Sequence, residues 1–223
     1  MLVPVTYRDP DHERATRMAR AANAAGDRHW FERLYDEAED GGAAVPWHRT
    51  EPNPRLREWS SGRALVVGCG YGHDAAHLAD RGYRVTAFDL SPTAVAVAAR
   101  TYPRVDFHAA DVLHPPAHWA GAFDVVFEAY TVQVLRGRDR ADAVAAIAGF
   151  VAPGGRLLVV GFRARPDDEP DRIALALTAA ELAAFTDHGL ELVALSEQPP
   201  RDDAPPPRWH YTAEYRRLSG GPK

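Results

Sequence analysis

RALVVGCGYGHD, residues 63–74, runs from an apolar β-type stretch through three closely spaced glycines into the opening of a helix. Positions without a Cβ let a ligand approach the backbone, and the unpaired N–H groups of a helix N-terminus lie just beyond them. About twenty residues on, a second apolar run, Tyr83 to Asp89, ends in an acid. An acid at that distance accepts hydrogen bonds from ribose hydroxyls in doubly wound folds. Ser91 then supplies a helix cap, with Pro92 at the first helical position and a helix expected to about Tyr102. Working outward, short β-rich runs alternate with alanine-rich helical ones, which is the pattern of a parallel sheet with crossover helices. The expected strands are Arg63 to Gly68, Tyr83 to Asp89, Arg104 to Ala109, Phe123 to Glu128 and Arg156 to Phe162. The first crossover helix runs from Tyr71 to Arg81. Val144, Ile147, Ala148 and Val151 recur at helical spacing, and Pro153-Gly154-Gly155 stops that helix. The fifth strand is apolar throughout, as a strand covered on both faces should be.

The flanks read differently. Residues 11–40 are rich in Ala, Arg and Glu and predict one or two helices broken at Gly26-Asp27. Near the other end Thr178 and Glu181 form a capping box for a helix ending at Gly189. Leu190 to Ser196 and Trp209 to Arg216 follow as strands around a proline-rich loop, and they predict an antiparallel hairpin. The expected organisation is an N-terminal helical lid over residues 1–60, an α/β domain over 61–217 and a tail over 218–223.

Composition narrows the function. The 223 residues are enough for one domain with a substantial core, 46% hydrophobic and 26% charged, as in ordinary globular chains. The net charge of −5 gives no overall attraction to nucleic acid or an anionic membrane. One cysteine, Cys69, precludes an internal disulfide, and the first ten residues lack a signal-peptide plan, so a reducing cytoplasm is expected. The ten histidines form no metal-ligand spacing, and His108, His114 and His118 fall on different elements, so no metal is expected.

The glycine spacing separates two cofactor classes. A dinucleotide fold requires G-x-G-x-x-G, whereas here the third glycine, Gly72, comes one residue early and His73 takes the required position. The pattern Gly68-Cys69-Gly70-Tyr71-Gly72 after an apolar strand instead resembles the class I S-adenosylmethionine-dependent methyltransferases. Asp111-Val112 after the third strand, the fourth-strand run Phe123 to Glu128, and Pro153-Gly-Gly155 match further motifs of that family. The resemblance covers roughly residues 62–217. It implies a doubly wound, seven-stranded, mostly parallel α/β sheet in the order 3-2-1-4-5-7-6 and S-adenosylmethionine as cofactor. It also implies a cofactor site of Gly68, Cys69, Gly70, Asp89, Leu90, Asp111, Val112, Glu128 and Ala129, with Asp89 on the ribose and Asp111 beside the adenine. Trp30 to Tyr35, then Pro46-Trp47, resemble the N-terminal aromatics of the thiopurine, thiol and halide methyltransferases, which adds Trp30 and Trp47 as a cover over the cofactor. A sulfonium has no N–H donors, and aromatic faces attract it where hydrogen bonds cannot. The chain departs from the thiopurine enzymes after Glu128, where Ala129-Tyr130-Thr131 lacks their arginine.

Methyl transfer from a sulfonium needs alignment above all, and aligned reactants gain on the order of 7 to 11 kcal/mol. Thiolate or halide acceptors need no base. For a phenol or ring nitrogen, His29, His48, Glu128 and Tyr130 stand near the strand ends, with Arg163 and Arg165 as acceptor-side charges, and none is singled out as a catalytic base. Cys69 stands at a helix start, where a thiol pKa can fall, but the loop geometry there serves cofactor binding and a small residue suffices, so nucleophilic catalysis is not expected. The expected partner is a small-molecule methyl acceptor, with no nucleic acid and no membrane. A nucleic-acid methyltransferase and a non-catalytic cofactor-binding protein remain the alternatives.

Overall fold

The computed structural model describes residues 10–57, 62–164, 173–199 and 209–220. Seven strands form one sheet: β1 (Arg63–Val67), β2 (Arg84–Asp89), β3 (Asp106–Ala109), β4 (Phe123–Ala129), β5 (Val151–Phe162), β6 (Leu190–Gln198) and β7 (His210–Arg217). Their order is β3-β2-β1-β4-β5-β7-β6, with β7 antiparallel to both neighbours and the other pairs parallel. This is the Rossmann-like methyltransferase fold that the motifs imply. Helices α3 (His73–Asp80), α4 (Pro92–Thr101), α5 (Gly137–Phe150) and α6 (Ala179–Ala183) link the strands, while α1 (Pro10–Ala25) and α2 (Trp30–Glu39) precede them.

Alternation along the strands explains why helices must cover both faces. Ala64 and Val66 of β1 join Val125, Phe127, Leu158 and Val160 in one buried cluster, while Leu65 and Val67 join Val126, Leu157 and Val159 in another. Strands apolar on both sides are stable only between two layers. The local signals act as expected: Ser91 Oγ accepts from the Ala94 N–H at 3.0 Å, and Thr178 with Glu181 closes a capping box. The chain breaks after Ala25, and α2 begins at Trp30.

One boundary differs. The helical spacing carried α5 through Val151 to a stop at Pro153, but α5 ends at Phe150 and Val151 begins β5. Val151 is fully buried, as the apolar stripe required, yet it pairs with Phe123 of β4. The Pro153-Gly154-Gly155 turn is therefore a bulge inside β5, with Phe123 opposite Val151 and Val125 opposite Arg156. The helix ending at Gly189 likewise divides into a short α6 and a 3-10 turn over Ala184–His188. Arg165, the acidic residues Asp167 to Glu169 and Asp171, and Pro205 to Pro207 lie outside the described residues. Among the described residues no helix is long and apolar enough to cross a membrane.

Because β1 has β2 on one side and β4 on the other, the helices that follow β1 and β4 cover opposite faces. A crevice opens there, at the carboxyl ends of the strands, where ligands bind in doubly wound sheets.

Candidate functional site

The loop from Gly68 to Gly72 crosses this crevice with φ of 62°, 51° and 86° at Gly68, Gly70 and Gly72, conformations that L side chains rarely adopt. A Cβ at Gly68 would collide with the Thr131 side chain, and at Gly72 with the Phe107 ring 2.8 Å away. At Gly70 the nearest atom would be Tyr35 Oη at 3.1 Å. Two of the glycines thus let neighbours pack, and Gly70 presents bare backbone to Tyr35 of helix α2.

Asp89, at the end of β2, faces that loop. Its carboxylate accepts from the Gly70 N–H at 2.8 Å and from the Ser91 N–H at 3.0 Å. Burial raises its pKa above the usual carboxylate value, with the N–H groups of Ser91, Gly70 and Leu90 pulling the other way. As a residue Asp89 is only half-buried, as is the adjacent Leu90. A carboxylate has about four acceptor positions, so Asp89 retains capacity for a further donor.

Asp111, after β3, accepts from Arg28 at 3.0 Å, from the Leu113 N–H at 2.9 Å and from His114 at 3.2 Å. Burial alone would raise its pKa, but these donors outweigh it and hold the carboxyl below its ordinary value. Val112 beside it is buried in the core. Arg28 also lies 3.6 Å from Asp139 at the start of α5. A second tie runs from Glu32 of α2, which accepts from Ser91 Oγ and from Thr93 Oγ1 at the N-terminus of α4. A carboxylate at a helix N-terminus is favoured by the helix dipole.

The aromatic residues divide. Trp30 is buried with Ala15, Ala19, Ala22 and Leu34, so it forms the core between α1 and α2. Trp47 bridges that core and the glycine loop, with its Nε1 donating to Tyr35 Oη at 3.1 Å and Tyr35 stacking edge-on to Tyr71 at 5.1 Å. Tyr35 is the ring beside Gly70, Trp47 holds it through the Nε1 hydrogen bond, and Trp30 packs edge-on to Trp47 at 5.9 Å.

Glu128 ends β4 almost fully buried, accepting from the Val132 N–H at 3.0 Å, and burial pushes its pKa to about 7. It caps the 3-10 turn over Val132–Val134. Ala129 packs under the same tip. Burial pushes the Cys69 thiol well above its usual range, which argues against a thiolate nucleophile. Among the described residues no cluster of His, Cys, Asp and Glu could hold a metal ion. Of the proposed acceptor-side groups, His48 stacks on Tyr71 at 4.9 Å, Arg163 pairs with Glu197 at 3.0 Å, and His29 precedes α2. Sequence reasoning did not find Arg28, Glu32 or Thr131, because their partners lie 83, 59 and 64 residues away in the chain.

This loop, acid and crevice are the arrangement that the sequence motifs anticipate. Residues 64–155 match the family model of the methyltransferase domain. The matched segment runs from β1 into the bulge of β5 and includes the glycine loop, Asp89, Asp111 and Glu128. Over 118 residues the chain is 34% identical to a ubiquinone biosynthesis O-methyltransferase of Aromatoleum aromaticum, covering 48% of this chain and 50% of that one. Over 89 residues it is 37% identical to a probable thiol methyltransferase 2 of Arabidopsis thaliana, covering 34% and 39%. The chain spans about half the length of the curated relatives it matches. In fold it is similar to Burkholderia thailandensis 1,6-didemethyltoxoflavin-N1-methyltransferase, solved with S-adenosylhomocysteine bound, with a TM-score of 0.57 and 21% identity over 97% of this chain and 93% of that one.

Proposed function

We propose that this chain is an S-adenosylmethionine-dependent methyltransferase acting on a small-molecule acceptor. The observation that carries the reading is the Asp89 carboxylate at the end of β2, set against the Gly70 N–H of the glycine loop. The residues present fit the cofactor. Asp89 has acceptor positions left for a ribose diol, Gly70 offers backbone without a side chain, and Asp111 with Val112 stands where the adenine would lie. S-adenosylmethionine, when bound, supplies a methyl group that already carries its leaving group. The chain's part is to align the acceptor with it and keep water out, and Tyr35 beside Gly70, held by Trp47, suits both tasks. Glu128, committed to its backbone N–H partners, acts as a cap rather than a base.

Thiols, halides, phenols and heterocycles are the acceptor classes in view. The narrower likeness to the thiopurine, thiol and halide group rests on Tyr35, Trp47 and the loop, and the plant thiol methyltransferase supports it. The ubiquinone-biosynthesis O-methyltransferases favour an oxygen acceptor instead. A cytoplasmic setting without nucleic-acid or membrane partners belongs to this reading on the net charge of −5 and the single cysteine.

Calorimetry with S-adenosylhomocysteine tests the site. A charge-assisted hydrogen bond contributes about 1.5 to 3 kcal/mol, so Asp89→Ala should weaken binding at least tenfold while circular dichroism stays native. Unchanged affinity would remove Asp89 from the cofactor site.

A further inference from the structure

A groove of about 400 Å³ opens on the far side of the β4 tip, lined by Pro54, Arg55, Leu56, Arg57, Gln198 and Thr212. Three observations there point to a ligand. Thr212 is 3% exposed, and its Oγ1 has no hydrogen-bond partner among the described residues. Buried hydroxyls are normally paired, so an unpaired one on a cavity wall marks a place for a donor or acceptor from outside. Arg55 reaches only a neutral partner, Gln198 Oε1, at 3.2 Å, whereas Arg57 meets Glu214 at 3.4 Å. Among the described residues the Arg55 charge is not neutralised by a carboxylate.

The third observation is position. Thr212 pairs with Val160, and Val160 with Ala129, so the groove lies two strands, about 10 Å, from the β4 tip. Asn53 N donates to Asp74 at the start of α3, and Arg55 reaches Gln198 at the end of β6. The segment between therefore crosses the carboxyl edge of the sheet, from beside the glycine loop to the groove. Tyr130 stands along that path, and it is the one residue other than glycine with positive φ, 64°, among the described residues. Such strain persists where the surroundings enforce it and clusters at ligand sites. Its ring lies 5.0 Å from Phe162 and 6.2 Å from His210, making an aromatic wall.

We propose that this groove binds a carboxylate on the methyl acceptor, held by Arg55 and Thr212, with the acceptor's planar body along Tyr130, Phe162 and His210. The guanidinium donates to one carboxylate oxygen and the Thr212 hydroxyl to the other. A single negative charge suits the groove better than a phosphate dianion, because Glu214 is buried on the same face of β7, two residues along. This assignment rests on the methyltransferase reading only for calling the ligand the acceptor, and the anion site itself is independent of it.

Benzoate, benzamide and inorganic phosphate are the probes, titrated into the full chain and followed by calorimetry and amide chemical shifts. Benzoate should saturate with shifts centred on residues 54–57, 130 and 212, and benzamide should bind at least tenfold more weakly. Arg55→Gln should weaken benzoate about tenfold and Thr212→Val about threefold, with melting curves confirming that both variants fold. Absence of saturation by benzoate, equal binding of benzamide, or benzoate affinity unaltered in Arg55→Gln would overturn the site, and tighter binding of phosphate would overturn the carboxylate assignment. Parallel titration with S-adenosylhomocysteine separates the two claims. If it binds and benzoate does not, the anion site alone falls; if benzoate binds through Arg55 and S-adenosylhomocysteine does not, the cofactor reading alone falls.

Discussion

At the carboxyl ends of β1 and β2 the crevice is built of backbone: three glycines in left-handed conformations and one carboxylate bound to the N–H of Gly70. Across the β4 tip, at the ends of β5 and β7, it is built of side chains: the rings of Tyr130, Phe162 and His210, with Arg55 reaching in from before the first strand. A backbone-built site tolerates little change, because every substitution adds atoms where none fit. A side-chain-built site changes ligand with one replacement. The first half suits a ligand that stays fixed and the second a ligand that can vary.

The sharpest way to break this contrast is Gly68→Ala. The added Cβ would coincide with the Thr131 side chain at a φ of 62°, so the variant should lose about 3 kcal/mol of stability in denaturant titration. Near-native stability would mean that the loop gives way and the half is not rigid.

Glu128, between the halves, should produce the next largest effect. Its native pKa of about 7 lies above the unfolded value of 4.5, so the folded chain binds the proton more tightly. Stability should therefore fall as pH rises from about 4.5 to about 7, by up to about 3 kcal/mol, and Glu128→Gln should flatten that part of the curve. A wild-type profile flat over this window would show the carboxyl to be better solvated than its burial implies.

The smallest effect sharpens the contrast from the lid. Arg28 ties residues before α2 to Asp111 and Asp139, and its side chain is 30% exposed, so its pairs are partly screened. Arg28→Ala should cost about 1 kcal/mol or less, yet amides of residues 10–57 should exchange faster while those of β1 and β4 do not. Equal exchange throughout would mean that Arg28 does not fasten the lid.

The two halves were also unequally legible in the sequence. The strand order, the antiparallel hairpin, the Ser91 cap and the capping box all follow from residues close in the chain or from a motif. Arg55 was invisible because its significance depends on Gln198, 143 residues away. Trp30 and Trp47 look equivalent as isolated tryptophans, and only packing shows that Trp30 is buried between α1 and α2 while Trp47 reaches Tyr35 beside the glycine loop. Val151 misled because a fully buried residue satisfies a helical stripe and a central strand alike.

The position of β7 bears on how the chain is made. It is the last strand in sequence, yet it stands between β5 and β6 and is the partner that joins them. During synthesis β6 emerges before it has anything to pair with, and β5 waits with an open edge until residues 210–217 leave the ribosome. An unpaired apolar strand edge invites association with other chains. Translation that pauses or terminates between β6 and β7 would leave that edge bare, so nascent chains halted there should be the ones that chaperones retain.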